Sequence, residues 1–336
     1  MPSSQDFGLG FLAGFLAAVL VGFITSALLS TRQDEYGLGH WKLNIKTPLR
    51  SMWMNVGYWR NEQGEPIEDF PEASAALLRE VINTAGFAKG DGGKTAILDL
   101  GFGCGDQTWD LVQLMHAEKS GFQYVGLSLD QYQVRAAQRR IHRDVTAHTA
   151  MGQETLSAVH LFCADAARPE TWNRQISESV ESLSDQAFSE RWLLALDCIY
   201  HFKPSRKPVF QLATSKLHAN LMLFDLILND QASAKDIFFA RLVSIIMRCP
   251  VKTFMTEPEY RQQLEECGFE PESIVMREIT DHVFSGLAGF IQRQDAALAE
   301  YSISLGGFKL AQRLFEWFDR SRVVKAVIVV ARAKQK

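Results

Sequence analysis

Ile97-Leu98-Asp99-Leu100-Gly101-Phe102-Gly103-Cys104-Gly105 reads as an apolar strand that runs into a glycine-rich turn, with a helix-forming stretch behind it. Glycines are needed where a backbone turns tightly and passes close to a ligand with no Cβ in the way. A dinucleotide fold would carry G-x-G-x-x-G and an acidic residue at the end of the second strand. Here the spacing is G-x-G-x-G, and the second strand reads Tyr124-Val125-Gly126-Leu127-Ser128-Leu129. Nicotinamide binding is therefore disfavoured. Outward from the loop, apolar runs alternate with amphipathic ones. The pattern predicts strands over 95–100, 123–129, 158–164, 191–197, 220–226, 274–279 and 323–333. Helices are expected over 73–85 and near 107–118, 131–147, 170–181 and 208–217. This alternation is the signature of an α/β fold with a mostly parallel sheet and helical crossovers. Two segments exceed a minimal version of it, near 234–266 and 282–322. Both are expected to be helical insertions that either wall a substrate pocket or add core.

The chain of 336 residues is 47% hydrophobic and 22% charged, enough for one large α/β domain with additions. Its net charge of −4 argues against a polyanion-binding protein, and no nucleic-acid partner is expected. Cys104, Cys163, Cys198, Cys249 and Cys267 show no paired spacing, so they are read as reduced core residues, and no metal site is expected.

Residues 7–29 carry no charged side chain across 23 positions. As a helix they would span roughly 34 Å, enough to cross a bilayer core. A cleaved signal peptide is the weaker reading, because Asp6 precedes the run and no Lys or Arg does. Arg32, Lys42, Lys46 and Arg50 follow it, so the positive-inside rule puts the globular part in the cytosol. The expectation is a single-pass membrane protein, with the endoplasmic reticulum as its membrane. Gly10 and Gly14 form a single GxxxG pair, which leaves a homodimer open. The chain thus divides into a transmembrane anchor (1–31), an N-terminal arm and helices over the cofactor site (32–94), and a catalytic domain (95–336).

From about residue 52 to 334 the sequence resembles class I S-adenosylmethionine (SAM) dependent methyltransferases. Their Asp-x-Gly-x-Gly-x-Gly loop is matched by Asp99, Gly101, Gly103 and Gly105. The resemblance implies a Rossmann-like fold, a mostly parallel seven-stranded sheet with helices on both faces, and SAM as cofactor, its methionine part held by the loop. In the family, an acidic residue near the end of the second strand binds the ribose. The matching position here is Ser128, followed by Asp130 and by Gln133, five positions on. Either Ser128 or Asp130 would meet the ribose. Phe162-Cys163-Ala164-Asp165-Ala166 is similar to the third-strand motif, whose acidic side chain reads the adenine amino group. Ser128 with Gln133 resembles the branch containing cyclopropane fatty acid synthases, tocopherol methyltransferases and macrolide O-methyltransferases. Gly57-Tyr58-Trp59 adds to that likeness, implying that Tyr58 reaches the SAM end of the pocket.

Methyl transfer from a sulfonium is an in-line displacement. The enzyme must align the acceptor and, for a hydroxyl or charged amine, help remove a proton. The acceptor should sit beyond the carboxyl ends of the strands, near Asp197-Cys198-Ile199-Tyr200-His201-Phe202. His201 is the candidate base, since an unperturbed imidazole titrates near pH ~6.5, and Tyr200 is its candidate companion. The Asp-x-x-Tyr-His-Phe pattern resembles small-molecule O-methyltransferases. It lacks the Glu-x-x-Glu-His pattern with which cyclopropane synthases hold bicarbonate, so cyclopropanation is not expected. The leading expectation is O- or N-methylation of a hydrophobic small molecule at a membrane surface, as in secondary metabolism. C-methylation of a membrane lipid or sterol and a non-catalytic SAM-binding scaffold are the alternatives. One further detail concerns strand five, where Leu217-His218-Ala219-Asn220 replaces the family's usual Pro-Gly-Gly turn, with Asn220 expected to take the left-handed conformation.

Overall fold

In the computed structural model, which describes residues 45–87, 93–117, 121–148 and 151–334, the glycine loop follows the third-ranked strand of a seven-stranded sheet. The strands are β1 (Thr95–Leu100), β2 (Phe122–Ser128), β3 (Val159–Cys163), β4 (Glu190–Leu196), β5 (Asn220–Leu228), β6 (Val275–Glu278) and β7 (Val324–Ala331). Their spatial order is β3-β2-β1-β4-β5-β7-β6. The first five are mutually parallel, and β7 runs antiparallel to both of its neighbours. All seven predicted strands are present within two residues of expectation at nearly every boundary.

Helices cover both faces, which is why β1, β5 and β7 read as continuous apolar runs rather than alternating ones. Ile97 faces one layer of core, built with α1 (Phe70–Ala85), α2 (Asp106–Ala117), α3 (Gln131–Ala147) and α9 (Phe284–Ala299). Ala96, Leu98 and Leu100 face the other, built with α5 (Arg174–Glu181), α6 (Lys207–Leu212) and α8 (Glu257–Glu266). The remaining helices are α4 (Gln153–Ala158), α7 (Ala234–Ile246) and α10 (Phe308–Ser321). Local chemistry sets several starts. Asp69 caps α1 through the Glu72 amide at 2.9 Å, Asp130 caps α3, and Thr256 with Glu259 forms a reciprocal capping box on α8.

Some local expectations change. The stretch 170–181 is a single 3-10 turn at Pro169–Thr171 followed by α5, because Asn173 caps the helix through the Ile176 amide. The stretch 208–217 is α6 with a π turn over Ala213–Leu217. Ahead of β5 it is His218, at φ +49°, that takes the left-handed conformation. Asn220 instead begins the strand, and its Oδ1 accepts the Ala333 amide at 3.2 Å. All five cysteines are free, but Cys163 is exposed at the end of β3 rather than in the core.

The chain falls into two compact units, Ser51–Ala297 with Ser304–Lys336, and Met1–Arg50 with Leu298–Ile303. The first holds the sheet and everything discussed below. In the second, the Tyr301 and Ile303 amides both donate to the Leu298 carbonyl, closing a turn. Among the described residues no helix is long and apolar enough to cross a membrane. The predicted anchor, 7–29, lies outside them.

Candidate active site

The order of the parallel strands reverses between β1 and β4. In open α/β sheets the crevice at the carboxyl ends of such a pair is where ligands bind. Here a cleft of about 440 Å³ opens at that point. It is lined from β1 by Gly101, Phe102, Gly103 and Cys104, from β2 by Ser128, Leu129, Asp130 and Gln133, and from β3 by Ala164, Asp165 and Ala166. The β4 end adds Asp197, Cys198, His201 and Phe202, and the arm adds Met52 to Asn55.

The loop glycines all take positive φ, +76° at Gly101, +62° at Gly103 and +94° at Gly105. At Gly105 a Cβ would stand 2.8 Å from Ala137 Cα on α3, so glycine there lets two helices approach. Asp99 is fully buried beneath the loop and does not line the cleft. Its carboxylate accepts both Gln107 Nε2 contacts, at 2.7 and 2.8 Å, and the Tyr124 hydroxyl. Burial pushes its pKa up to about 6, against those hydrogen bonds. Asp99 therefore holds the loop by its root.

Of the two ribose candidates, Asp130 commits Oδ1 to the amides of Tyr132 and Gln133, at 2.7 and 3.1 Å. Ser128 donates to Gln133 Oε1 at 2.9 Å, making a fixed polar pair on the cleft wall. Asp165 stands across from it, accepting the Ala167 amide at 3.0 Å with Arg168 at 3.6 Å. These three strand ends bring Ser128, Gln133 and Asp165 to the same cleft as the loop.

Tyr58 does not join them. Its amide donates to the Ala73 carbonyl at 2.8 Å and its ring lies 5.0 Å from His282. Next to it Trp59 is clamped over Gly286 of α9, 5.4 Å from the Phe290 ring, which turns Tyr58 away from the cleft. The arm instead reaches the site by backbone. The Met52 amide donates to Asp106 at 3.1 Å, and the Val56 amide to Asp197 Oδ2 at 2.8 Å.

Asp197 opens the Asp-x-x-Tyr-His-Phe motif, but the motif alone assigns it no role of its own. It sits at φ +61°, a conformation that Asp tolerates better than most side chains, and its Oδ1 accepts the Tyr200 hydroxyl at 2.8 Å. Burial raises its pKa to about 7, opposed by the bonds from Tyr200 and Val56. Tyr200 is buried and turned onto Asp197, outside the cleft lining, so it positions that carboxylate. His201 lines the cleft, and its ring centroid is 4.4 Å from that of Tyr200. Burial, then the nearby Lys203 charge, lowers its pKa below 6.5. Cys249 Sγ lies 3.2 Å from His201 Nδ1 and 3.6 Å from the Met247 carbonyl. Burial pushes that thiol up to about 12, so it keeps its hydrogen. The direction of the contact with Nδ1 follows the imidazole tautomer: Nδ1–H donating to the sulfur leaves Nε2 its lone pair, and S–H donating to Nδ1 puts the ring hydrogen on Nε2.

Behind this turn lies a buried ion pair. Arg206 bonds Asp225 of β5, and also the Thr253 carbonyl and hydroxyl, while Tyr260 donates to Asp225 at 2.7 Å. Thr253 in turn donates to the Tyr200 carbonyl. A second cavity, about 680 Å³, shares Phe202 with the cleft and is walled by Leu228, Ile237, Phe254 and Met255, with Arg241 and Lys252 also on its lining.

No family model and no curated relative matches this sequence. Solved structures do. A sarcosine dimethylglycine methyltransferase candidate from Galdieria sulphuraria superposes with TM-score 0.59 at 14% identity, covering 83% of this chain and 92% of that one. The [4+2]-cyclase SpnF gives 0.54 at 14% identity over 84% and 89%. The cyclopropane synthase MmaA2 from Mycobacterium tuberculosis gives 0.55 at 15% identity over 83% and 90%. At such identities the likeness is one of fold, the Rossmann-like sheet that this chain shares with solved methyltransferases, a cyclopropane synthase and a [4+2]-cyclase.

Proposed function

We propose that the chain is a SAM-dependent methyltransferase that moves a methyl group to an O or N atom of a hydrophobic small molecule at a membrane surface. The observation that carries this reading is the convergence of four strand ends on one cleft, with the glycine loop, the Ser128–Gln133 pair, Asp165 and the Asp197–His201 turn around it. The cleft has the size of a small-molecule site, about 300–1,000 Å³. Its residues fit the cofactor. At Gly103 a Cβ meets only Met54 Cε, at 3.6 Å, so the loop presents bare backbone to the space between itself and the arm. In this reading the loop holds the methionine part, Ser128 and Gln133 read the ribose hydroxyls, and Asp165 reads the adenine amino group.

Bound SAM supplies an electrophilic methyl group on a sulfonium. The protein's own work is then to align the acceptor and take its proton. Asp197, fixed by Val56 and Tyr200, stands where the fourth strand meets the cleft and places a carboxylate near the sulfonium end. The second cavity, with its apolar wall under α7, holds the acceptor's body. His201, on the cleft lining next to Phe202, which both cavities share, accepts the proton, through Nε2 in its Nδ1–H tautomer. Like several of the structural neighbours, which are named for different reactions, the fold accommodates its chemistry by changing this turn and the added helices.

Titration calorimetry on the full chain in detergent tests the reading, with saturable one-site binding of SAM and S-adenosylhomocysteine expected. Absence of heat with both ligands would remove the enzyme assignment. The role of His201 is tested by its pH profile. Because its pKa is lowered, the ring stays neutral and basic below pH 6.5, so the acid limb of kcat/KM for methyl transfer into a membrane lipid extract should fall below that value. His201→Ala should reduce turnover by about 100-fold or more and remove the limb. Unchanged turnover would leave His201 without a role in proton transfer.

A further inference from the structure

Helix α7 is apolar on two sides. Its inner side packs Ile237, Ala240 and Val243 onto the core. Its outer side carries Phe238, Leu242 and Ile245 at i, i+4 and i+7, exposed at 65, 47 and 57%, with Phe239 beside them at 42%. Val251 in the turn that follows extends the strip at 50%. A helix apolar all round is normally buried, and contiguous exposed apolar side chains mark a surface that something covers.

The charges on this strip are of one sign. Lys235, Arg241, Arg248 and Lys252 are all exposed and flank the apolar side chains, Arg241 and Lys252 at the edge that also lines the second cavity. Among the described residues none of the four side chains has an ion pair or hydrogen bond. The one acid over 231–256, Asp236, accepts the Ser233 hydroxyl at the helix start, at 2.6 Å. Apolar side chains flanked by unpaired cations, with no compensating carboxylates, match the boundary between acyl chains and anionic headgroups.

We infer that the outer face of α7, with the turn after it, seats the folded domain in the interfacial layer of a bilayer containing anionic lipid. This second contact is separate from residues 7–29 and rests on the membrane part of the functional reading above. The inner side of the same helix supplies Ile237 to the wall of the second cavity. Seating α7 in the interface therefore brings that cavity's wall to the lipid boundary, where a hydrophobic acceptor is concentrated.

The test uses the full chain with Leu242→Cys in a Cys163→Ser background, since Cys163 is the exposed native thiol. The cysteine is labelled with the environment-sensitive fluorophore NBD, and the labelled parent lacking Leu242→Cys is subtracted. Gln186→Cys, exposed just before β4 at the amino end of the sheet, is the control. On phosphatidylcholine vesicles containing phosphatidylserine, emission at 242 should shift to the blue and rise several-fold, while position 186 stays water-like. High salt, or phosphatidylcholine alone, should cut the rise at 242 to less than half. If the chain floats with vesicles yet position 242 stays water-like, the proposal fails although the anchor stands. If the chain does not float, the anchor reading fails, and titrating the labelled chain with vesicles decides the α7 surface separately. A blue shift that follows protein concentration without vesicles would assign the face to a second copy and overturn the proposal.

Discussion

Gly103→Arg should abolish S-adenosylhomocysteine binding, with affinity falling by more than about 100-fold, or at least ~2.7 kcal/mol, and the fold retained. Gly103 sits at φ +62°, and its built Cβ meets only Met54 Cε, at 3.6 Å. The first side-chain atom therefore fits, and the rest of the arginine must run into the cleft or out past the arm. The left-handed backbone disfavours an L-residue by about 1–2 kcal/mol, small beside a domain stability of about 5–15 kcal/mol. Calorimetry and a melting curve on the same sample separate the two effects. A folded Gly103→Arg protein that still binds the ligand normally would show that this loop is not the cofactor cradle.

Removing Arg206 should produce the largest loss of stability. Arg206 and Asp225 are almost wholly inaccessible, and burial raises the Asp225 carboxyl above its usual range, opposed by the Arg206 charge and by the bonds from Tyr260 and Leu226. Arg206→Met leaves that carboxylate without its cation. Breaking a buried pair from one side costs about 3–5 kcal/mol, a fall in Tm on the order of 10 °C for a unit of this size. Replacing both partners, as Arg206→Met with Asp225→Leu, should recover most of the loss, because an apolar pair of similar volume needs no counter-charge. A single variant melting within a degree or two of the parent would mean the pair stabilises little. The effect should also reach the candidate active site, since Thr253 ties the same guanidinium to the Tyr200 carbonyl.

The sheet was legible because strands buried on both faces leave continuous apolar runs, and β1 and the loop behind it carry the strongest such signal. The cleft lining around the glycine loop was legible for the same reason, since Gly101, Ser128 and Asp165 each lie at or just past a strand end. Asp197 was harder to assign. Its role depends on a positive φ and on an amide 141 positions away, neither of which one sequence displays. Tyr58 was misplaced toward the cleft for a related reason. The slot that turns it aside is made by Trp59 against Gly286, and α9 lies more than two hundred positions further along. The outer face of α7 also escaped a periodicity reading, because the run from Ile237 to Met247 is apolar on both sides, interrupted only by Arg241 and Ser244, and so has no clear polar stripe to mark as solvent-facing.

The antiparallel strand β7 lies between β5 and β6, with its side chains almost wholly buried. Of the seven strands it is the last to be synthesised, yet it fills an interior place. Until it leaves the ribosome, β5 has an open edge and β6 has no neighbour to pair with. The nascent domain must therefore wait, with apolar surface uncovered, for its final strand.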